Sequence, residues 1–226
     1  MLDIQQLQRR TTRYELADGI RDFQMAIWIF IIGLYSWFLW DMTEVWGQPM
    51  RSLLDTYGSF ITLVLVFGVM IGVPGIITHV GLRLMNAYVR RRWLWRNTGY
   101  ITPKSWIIPR GVLFTALAIT MLVFIGGIWL ANVLSDGWII WRALWVGIGL
   151  EMAYTYFMLG RVYDIGRYRS TAVVGAVGTL ITAALPGTIG LTSLGVTALW
   201  AVLFIISGVI GLREVAALQE RTADAA

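Results

Sequence analysis

Six apolar runs, each close to the length that crosses a bilayer, divide the 226-residue chain, and its basic residues gather in every second gap. A helix rises 1.5 Å per residue, so about 20 apolar residues traverse roughly 30 Å of hydrocarbon. The runs lie near Phe23 to Trp40, Gly58 to Thr78, Gly111 to Ala131, Trp138 to Leu159, Thr171 to Gly187 and Leu191 to Leu212. In the first and shortest, Trp37 and Trp40 are placed to anchor the outer end at headgroup level. Of the 18 Lys and Arg, four precede the first run (Arg9, Arg10, Arg13, Arg21) and seven separate the second from the third (Arg83, Arg90, Arg91, Arg92, Arg96, Lys104, Arg110). Arg161, Arg167 and Arg169 follow the fourth, and Arg213 and Arg221 follow the sixth, leaving only Arg51 and Arg142 for the opposite side. By the positive-inside rule the rich side is the cytoplasm. The expected fold is an all-α integral membrane protein: a six-helix transmembrane bundle with both termini cytoplasmic.

Composition excludes several alternatives. With 58% hydrophobic and only 14% charged residues, the chain does not match a soluble domain, in which charged residues run nearer a quarter. Cytoplasmic loops facing anionic headgroups account for the formal charge of +5, so nucleic acid is not expected as a partner. The absence of Cys removes thiolate nucleophiles, disulfides and Cys-ligated metals, and a single His excludes a bis-histidine haem within one chain. No cofactor is expected. The polar leader carries as many acids as bases before the first run, which reads as a signal anchor rather than a cleavable signal peptide.

Residues 1–22 form an expected cytoplasmic interfacial segment, because Ile4, Leu7 and Tyr14, then Leu16, Ile20 and Phe23, make an imperfect helical stripe. Residues 23–212 form the six-span domain and residues 213–226 a cytoplasmic tail. Within the domain, the basic cytoplasmic loop at 79–110 contains no Asp or Glu. Its Trp93-Leu94-Trp95, Arg96-Asn97-Thr98-Gly99 and Tyr100-Ile101 read as apolar, turn, apolar, the pattern of a short hairpin. The bases Arg90, Arg91, Arg92, Arg96, Lys104 and Arg110 are expected to contact anionic lipid headgroups. Leu185-Pro186-Gly187-Thr188-Ile189-Gly190 is an uncharged connection that reads as a tight external turn, with a re-entrant segment as the alternative.

Two stretches carry a resemblance. Tyr14-Glu15-Leu16-Ala17-Asp18-Gly19-Ile20, and Arg90-Arg91-Arg92 through Arg96-Asn97-Thr98-Gly99-Tyr100, are similar to elements of a prokaryotic multi-pass membrane protein family without an assigned activity. That family has a Tyr-x-Asp-Gly element before the first span and an Arg-rich string ending in Pro-Arg-x-Gly-Tyr, where this chain has Arg96-Asn97 in place of Pro-Arg. The resemblance covers about 20 residues and implies a multi-pass protein of a prokaryotic plasma membrane; it transfers no catalytic residue.

Glu151, well inside the fourth run, is the sharpest intramembrane polar feature. Charged groups there face a bundle interior, pair or stay protonated. Tyr154 at i+3 and Thr155 at i+4 share its helix face and are candidate hydrogen-bond donors. Arg142, nine residues earlier, points to the opposite face and about 13.5 Å away along the axis. It reads as snorkelling to outer headgroups beside Trp138, Trp141 and Trp145, with pairing to Asp136, Asp41 or Asp55 as the alternative. Those three Trp recur at i, i+3 and i+7, an aromatic belt that doubles as a packing stripe.

Gly72-Val73-Pro74-Gly75 predicts a kink in the second span, and His79 an interfacial residue. Small residues of the fifth span, including Ala172, Gly175, Ala176 and Thr179, predict close packing within the chain or against another copy. No phosphate-binding, zinc-protease or nucleophile-elbow motif occurs. The expected role is therefore non-enzymatic, an accessory subunit or self-assembling scaffold, with a small transporter coupled to a proton or cation through Glu151 as the alternative. The topology predicts that Cys introduced at Thr98 is shielded from a membrane-impermeant thiol reagent in intact cells. Labelling there without permeabilisation contradicts it.

Overall fold

Long apolar stretches separated by a few Gly, Pro, Ser or Asp residues leave the backbone one economical solution: helices joined by tight turns that bring neighbours antiparallel. A computed structural model describes Leu16, residues 18–49, short runs and single positions between 51 and 88, and residues 108–223. Five long helices run through them: α1 (Ile20–Asp41), α2 (Arg110–Leu134), α3 (Trp138–Val162), α4 (Gly166–Ala184) and α5 (Ile189–Ala223). No strand occurs among the described residues. Three helices are long and apolar enough to cross a membrane: α1, α2 and the Ile189–Ala217 portion of α5. The other two hold charges within the helix, Arg142 and Glu151 in α3 and Arg167 and Arg169 in α4. The kink at Pro74, His79 and the expected hairpin at 93–101 lie outside the described residues, as does most of the second apolar run.

Each connection has a local cause. After α2, Ser135 takes a left-handed conformation (φ 55°), which lets the Asp136 N–H reach the Ala131 carbonyl at 3.1 Å. The Asp136 carboxylate then accepts the Trp138 N–H at 3.0 Å and so opens α3. After α3, Asp164 (φ 54°) does the same, with the Ile165 N–H on the Gly160 carbonyl at 3.0 Å. Between α4 and α5, Pro186 holds Leu185 extended, and the Thr188 hydroxyl caps α5 by accepting the Leu191 N–H at 3.1 Å. The Pro186-Gly187 connection is thus a turn between antiparallel helices: Trp200 Nε1 of α5 donates to Thr179 Oγ1 of α4 at 3.0 Å.

Helix α2 packs on α3, α3 on α4 and α4 on α5, while α1 lies along α5 and α3 also touches α5. Small residues permit these approaches. A Cβ at Gly33 of α1 would overlap the Thr197 side chain of α5, one at Gly175 the Trp200 ring, and one at Gly149 the Thr179 side chain. The small residues of the fifth run are therefore used, at Ala172 and Gly175, for packing within the chain. The core gathers Trp145, Tyr156, Tyr168, Trp200 and Phe204, with Tyr156 stacked on Phe204 at 4.7 Å between ring centroids.

Polarity runs opposite to that of a water-soluble bundle. Asp18, Asp22, Arg167, Thr179, Ser193, Thr197 and Ser207 are buried, whereas Phe114, Met121, Leu122 and Trp129 of α2 and Val173, Val177 and Ile181 of α4 are more than half exposed. Leu16 and residues 18–22 depart from the expected surface-lying segment. Leu16, Asp18, Ile20 and Asp22 are buried in the bundle, and α1 begins three residues earlier than Phe23. Gly19 explains this turn inward. Its φ of 72° turns the chain into the helix, Asp18 Oδ1 accepts the Ile20 N–H at 3.1 Å, and the missing Cβ lets the backbone rest on that of Gly208.

Gly33→Ala is expected to destabilise the protein by about 1 to 3 kcal/mol through overpacking of α1 on α5. Gly126→Ala, in open space on α2, should leave stability unchanged or slightly raised. Unfolding titrations of both variants in detergent provide the check.

Candidate functional site

A carboxylate in the first turn of a helix is favoured by the unpaired N–H groups and the positive end of the dipole, and Asp22 occupies that position in α1. Here the first turn is packed inside the bundle, so Asp22 has no exposure to solvent and must be satisfied by other helices. Ser207 of α5 donates its hydroxyl to Oδ2 at 2.7 Å, and Tyr168 of α4 donates to Oδ1 at 2.8 Å. Tyr156 of α3 approaches Oδ1 at a longer 3.4 Å. Arg167 of α4 adds its charge, with Nε 3.7 Å from Oδ2.

Arg167 joins this group to two others. Its Nη1 lies 2.9 Å from Glu214 Oε2 on α5, and its Nη2 donates to the Leu16 carbonyl. Tyr168 Oη also sits 3.3 Å from that carbonyl; its single proton is better directed to Asp22 at the shorter distance. The guanidinium carbon stands 5.1 Å from the centre of the Tyr168 ring. Four helices and the segment before α1 therefore meet at one buried acid and one buried base. Glu214, with its side chain 57% exposed, is the member that reaches outward. The acceptors and donors face one another, so the arrangement holds the bundle end together.

Glu151 lies elsewhere on α3, half-buried against α2. Its partner is Thr120, whose Oγ1 is 2.6 Å from Oε2 and 3.2 Å from the Gly147 carbonyl. The missing Cβ of Gly147, which would press on Thr120, lets α2 come this close. Tyr154 and Thr155, expected as donors from the same helix, are half-buried and supply neither contact. Arg142, at the far end of α3, is half-buried and donates from Nη2 to the Gly187 carbonyl at 2.8 Å rather than pairing with Asp136, Asp41 or Asp55. The Trp stripe grades inward: Trp138 is 59% exposed, Trp141 packs against Trp40 at 4.8 Å, and Trp145 is buried. Arg110 is exposed at the start of α2; Arg90, Arg91, Arg92, Arg96 and Lys104 lie outside the described residues.

Neither Asp22 nor its partners stood out in the sequence, where Asp22 read as part of a polar leader and Arg167 as one cytoplasmic base among many. A signal was present nonetheless. Asp22 continues the small-residue face of Ala26, Gly33 and Ser36 at spacings of four, seven and three, which marks it as facing the neighbouring helix.

No family model, curated protein or solved structure matches the chain. Among the described residues no three His, Asp or Glu side chains come together as a metal-ligand set.

Tyr168→Phe should cost about 1 to 2 kcal/mol, because Asp22 loses a short hydrogen bond inside the bundle. Tyr154→Phe should stay within about 0.5 kcal/mol of wild type. Equal effects from the two changes in a denaturation series contradict the assignment of Tyr168.

Proposed function

We propose that the chain is a multi-pass protein of a prokaryotic plasma membrane, a six-span bundle with both termini cytoplasmic, and that it acts as a non-enzymatic scaffold or accessory subunit. The reading of a membrane-embedded bundle is supported by apolar outward faces on α1, α2, α4 and α5, while Asp18, Asp22, Arg167, Ser193 and Thr197 are buried beside the aromatic core. In water such surfaces exceed what a monomer tolerates; in a bilayer they are the solvated side. The orientation is supported by Arg21, Arg110, Arg161, Arg167, Arg169 and Arg213. They fall at the helix ends on the side of the bundle that holds the Asp22 cluster, with Asp41 and Asp136 at the opposite ends.

The observation that carries the scaffold reading is that Asp22 is held by two hydroxyls, and Arg167 by a carbonyl and a carboxylate, all of the same chain. A transport site needs polar groups that exchange partners with an ion or water; a scaffold needs a bundle that keeps one shape. Partners for such a bundle are a second copy or another membrane protein, seated on its outward faces, together with anionic headgroups on the cytoplasmic side.

One observation favours the transporter as a second reading: Glu151 is half-buried and, among the described residues, has a single side-chain partner, so its carboxylate retains acceptor capacity for a proton or cation. Reconstitution separates the two. Under the scaffold reading, proteoliposomes show pH-driven and cation flux equal to protein-free vesicles, and Glu151→Gln keeps wild-type stability because the amide still accepts from Thr120. Flux above that background, abolished by Glu151→Gln, replaces the scaffold with the transporter.

A further inference from the structure

At the end of the bundle opposite Asp22, a cation and an anion line one cleft without pairing. The cleft, of about 350 Å³, is formed by Asp136, Trp138, Arg142, Gly187, Thr188 and Ile189. Arg142 spends one of its five N–H donors on the Gly187 carbonyl, which holds the guanidinium in place and leaves the rest of its fork unused. Asp136 spends Oδ1 on the Trp138 N–H and keeps Oδ2. Each charge is thus fixed by a backbone group, and the two do not approach within ion-pair distance. Opposite charges anchored apart across a cleft match a ligand that carries both signs itself.

We propose that this cleft binds the phosphoethanolamine headgroup of a bilayer lipid, with the phosphate on Arg142 and the ammonium on Asp136. A guanidinium presents parallel N–H donors to phosphate oxygens, and a primary ammonium donates hydrogen bonds to a carboxylate, which a trimethylated ammonium cannot do. The location favours a lipid over a free zwitterion. Trp138 is exposed at the rim, Trp40 and Trp141 pack together nearby, and the exposed Leu185 and Leu191 flank the α4–α5 turn with apolar surface suited to acyl chains. The proposal rests on the reading of the chain as membrane-embedded, and adds a lipid class and a site at the outer end.

The test uses the full-length protein. It is first floated with vesicles, then extracted into mixed micelles holding equal amounts of phosphatidylethanolamine and phosphatidylcholine, and retained lipid is counted by native mass spectrometry. Both lipids are zwitterionic, so the basic cytoplasmic loop does not bias the comparison. Wild type should retain phosphatidylethanolamine over phosphatidylcholine by about fivefold, the equivalent of one hydrogen bond of ordinary net strength. Asp136→Asn keeps the cap on Trp138 and should bring the ratio to unity; Arg142→Gln should lower retention of both lipids. Both variants should unfold at the wild-type temperature, since neither charge is buried. Equal retention by wild type, or a preference that survives Asp136→Asn, overturns the proposal. Displacement of the lipid by equimolar soluble phosphoethanolamine also overturns it, by assigning the cleft to a free ligand. Failure to float contradicts the membrane reading itself, whereas flotation without a lipid preference contradicts the cleft alone.

Discussion

The contact between Asp22 and Arg167 joins two groups that water would otherwise hold with great affinity, at the place where four helices converge. Removing both from solvent carries a desolvation cost of several kcal/mol per ion, and the attraction between them at 3.7 Å does not by itself offset it. What makes the pair tolerable is the rest of the cluster. Ser207 and Tyr168 satisfy the carboxylate, while Glu214 and the Leu16 carbonyl each accept from one terminal nitrogen of the guanidinium. Because the partners come from α4, α5 and the segment before α1, the cluster is satisfied in one arrangement of the helices and in few others. Apolar packing against lipid offers little such discrimination, since lipid tails are as apolar as the helix faces they replace.

The remainder of the bundle is consistent with that requirement. For α1 to deliver Asp22 to α5, the two backbones must run close. Gly19 against Gly208 and Gly33 against Thr197 provide the clearance at one end and along the shaft. At the other end the Thr188 hydroxyl donates to Asp41 at 2.6 Å and ties the end of α1 to the α4–α5 turn. Helix α5 is thus fastened to α1 at both ends, and α4 is carried along through the Thr179 to Trp200 hydrogen bond.

Much of the helical order was legible in the sequence, because a run of about 20 apolar residues has no alternative in a bilayer and a Pro-Gly pair has few in a helix. Helices α2 and α3 begin within one residue of the expected positions, at Arg110 and Trp138, where an exposed base and a capping Asp mark the start. The buried polar cluster was not legible, and the reason is physical. Asp22 and Arg167 sit at helix starts, where charged residues usually face headgroups, and only the inward turn at Gly19 and the three-residue link before α4 carry them inside. Such a turn depends on Gly208 of a helix far away in the chain. Glu151 was legible as an acid within a long apolar run but its partner was not: Tyr154 and Thr155 share its face, yet Gly147 admits Thr120 from α2 more closely.

A double-mutant cycle on Asp22→Ala and Arg167→Met, followed by reversible unfolding in detergent, tests the role of the cluster most directly. Arg167→Met strands the Asp22 carboxylate inside the bundle and should cost about 3 kcal/mol or more, Asp22→Ala leaves Arg167 with Glu214 and should cost less, and the double variant removes both buried charges. The account predicts a double variant more stable than the sum of the single losses by about 1 kcal/mol or more. Losses that add to within about 0.5 kcal/mol would contradict it, because the two residues would then contribute to stability independently of each other.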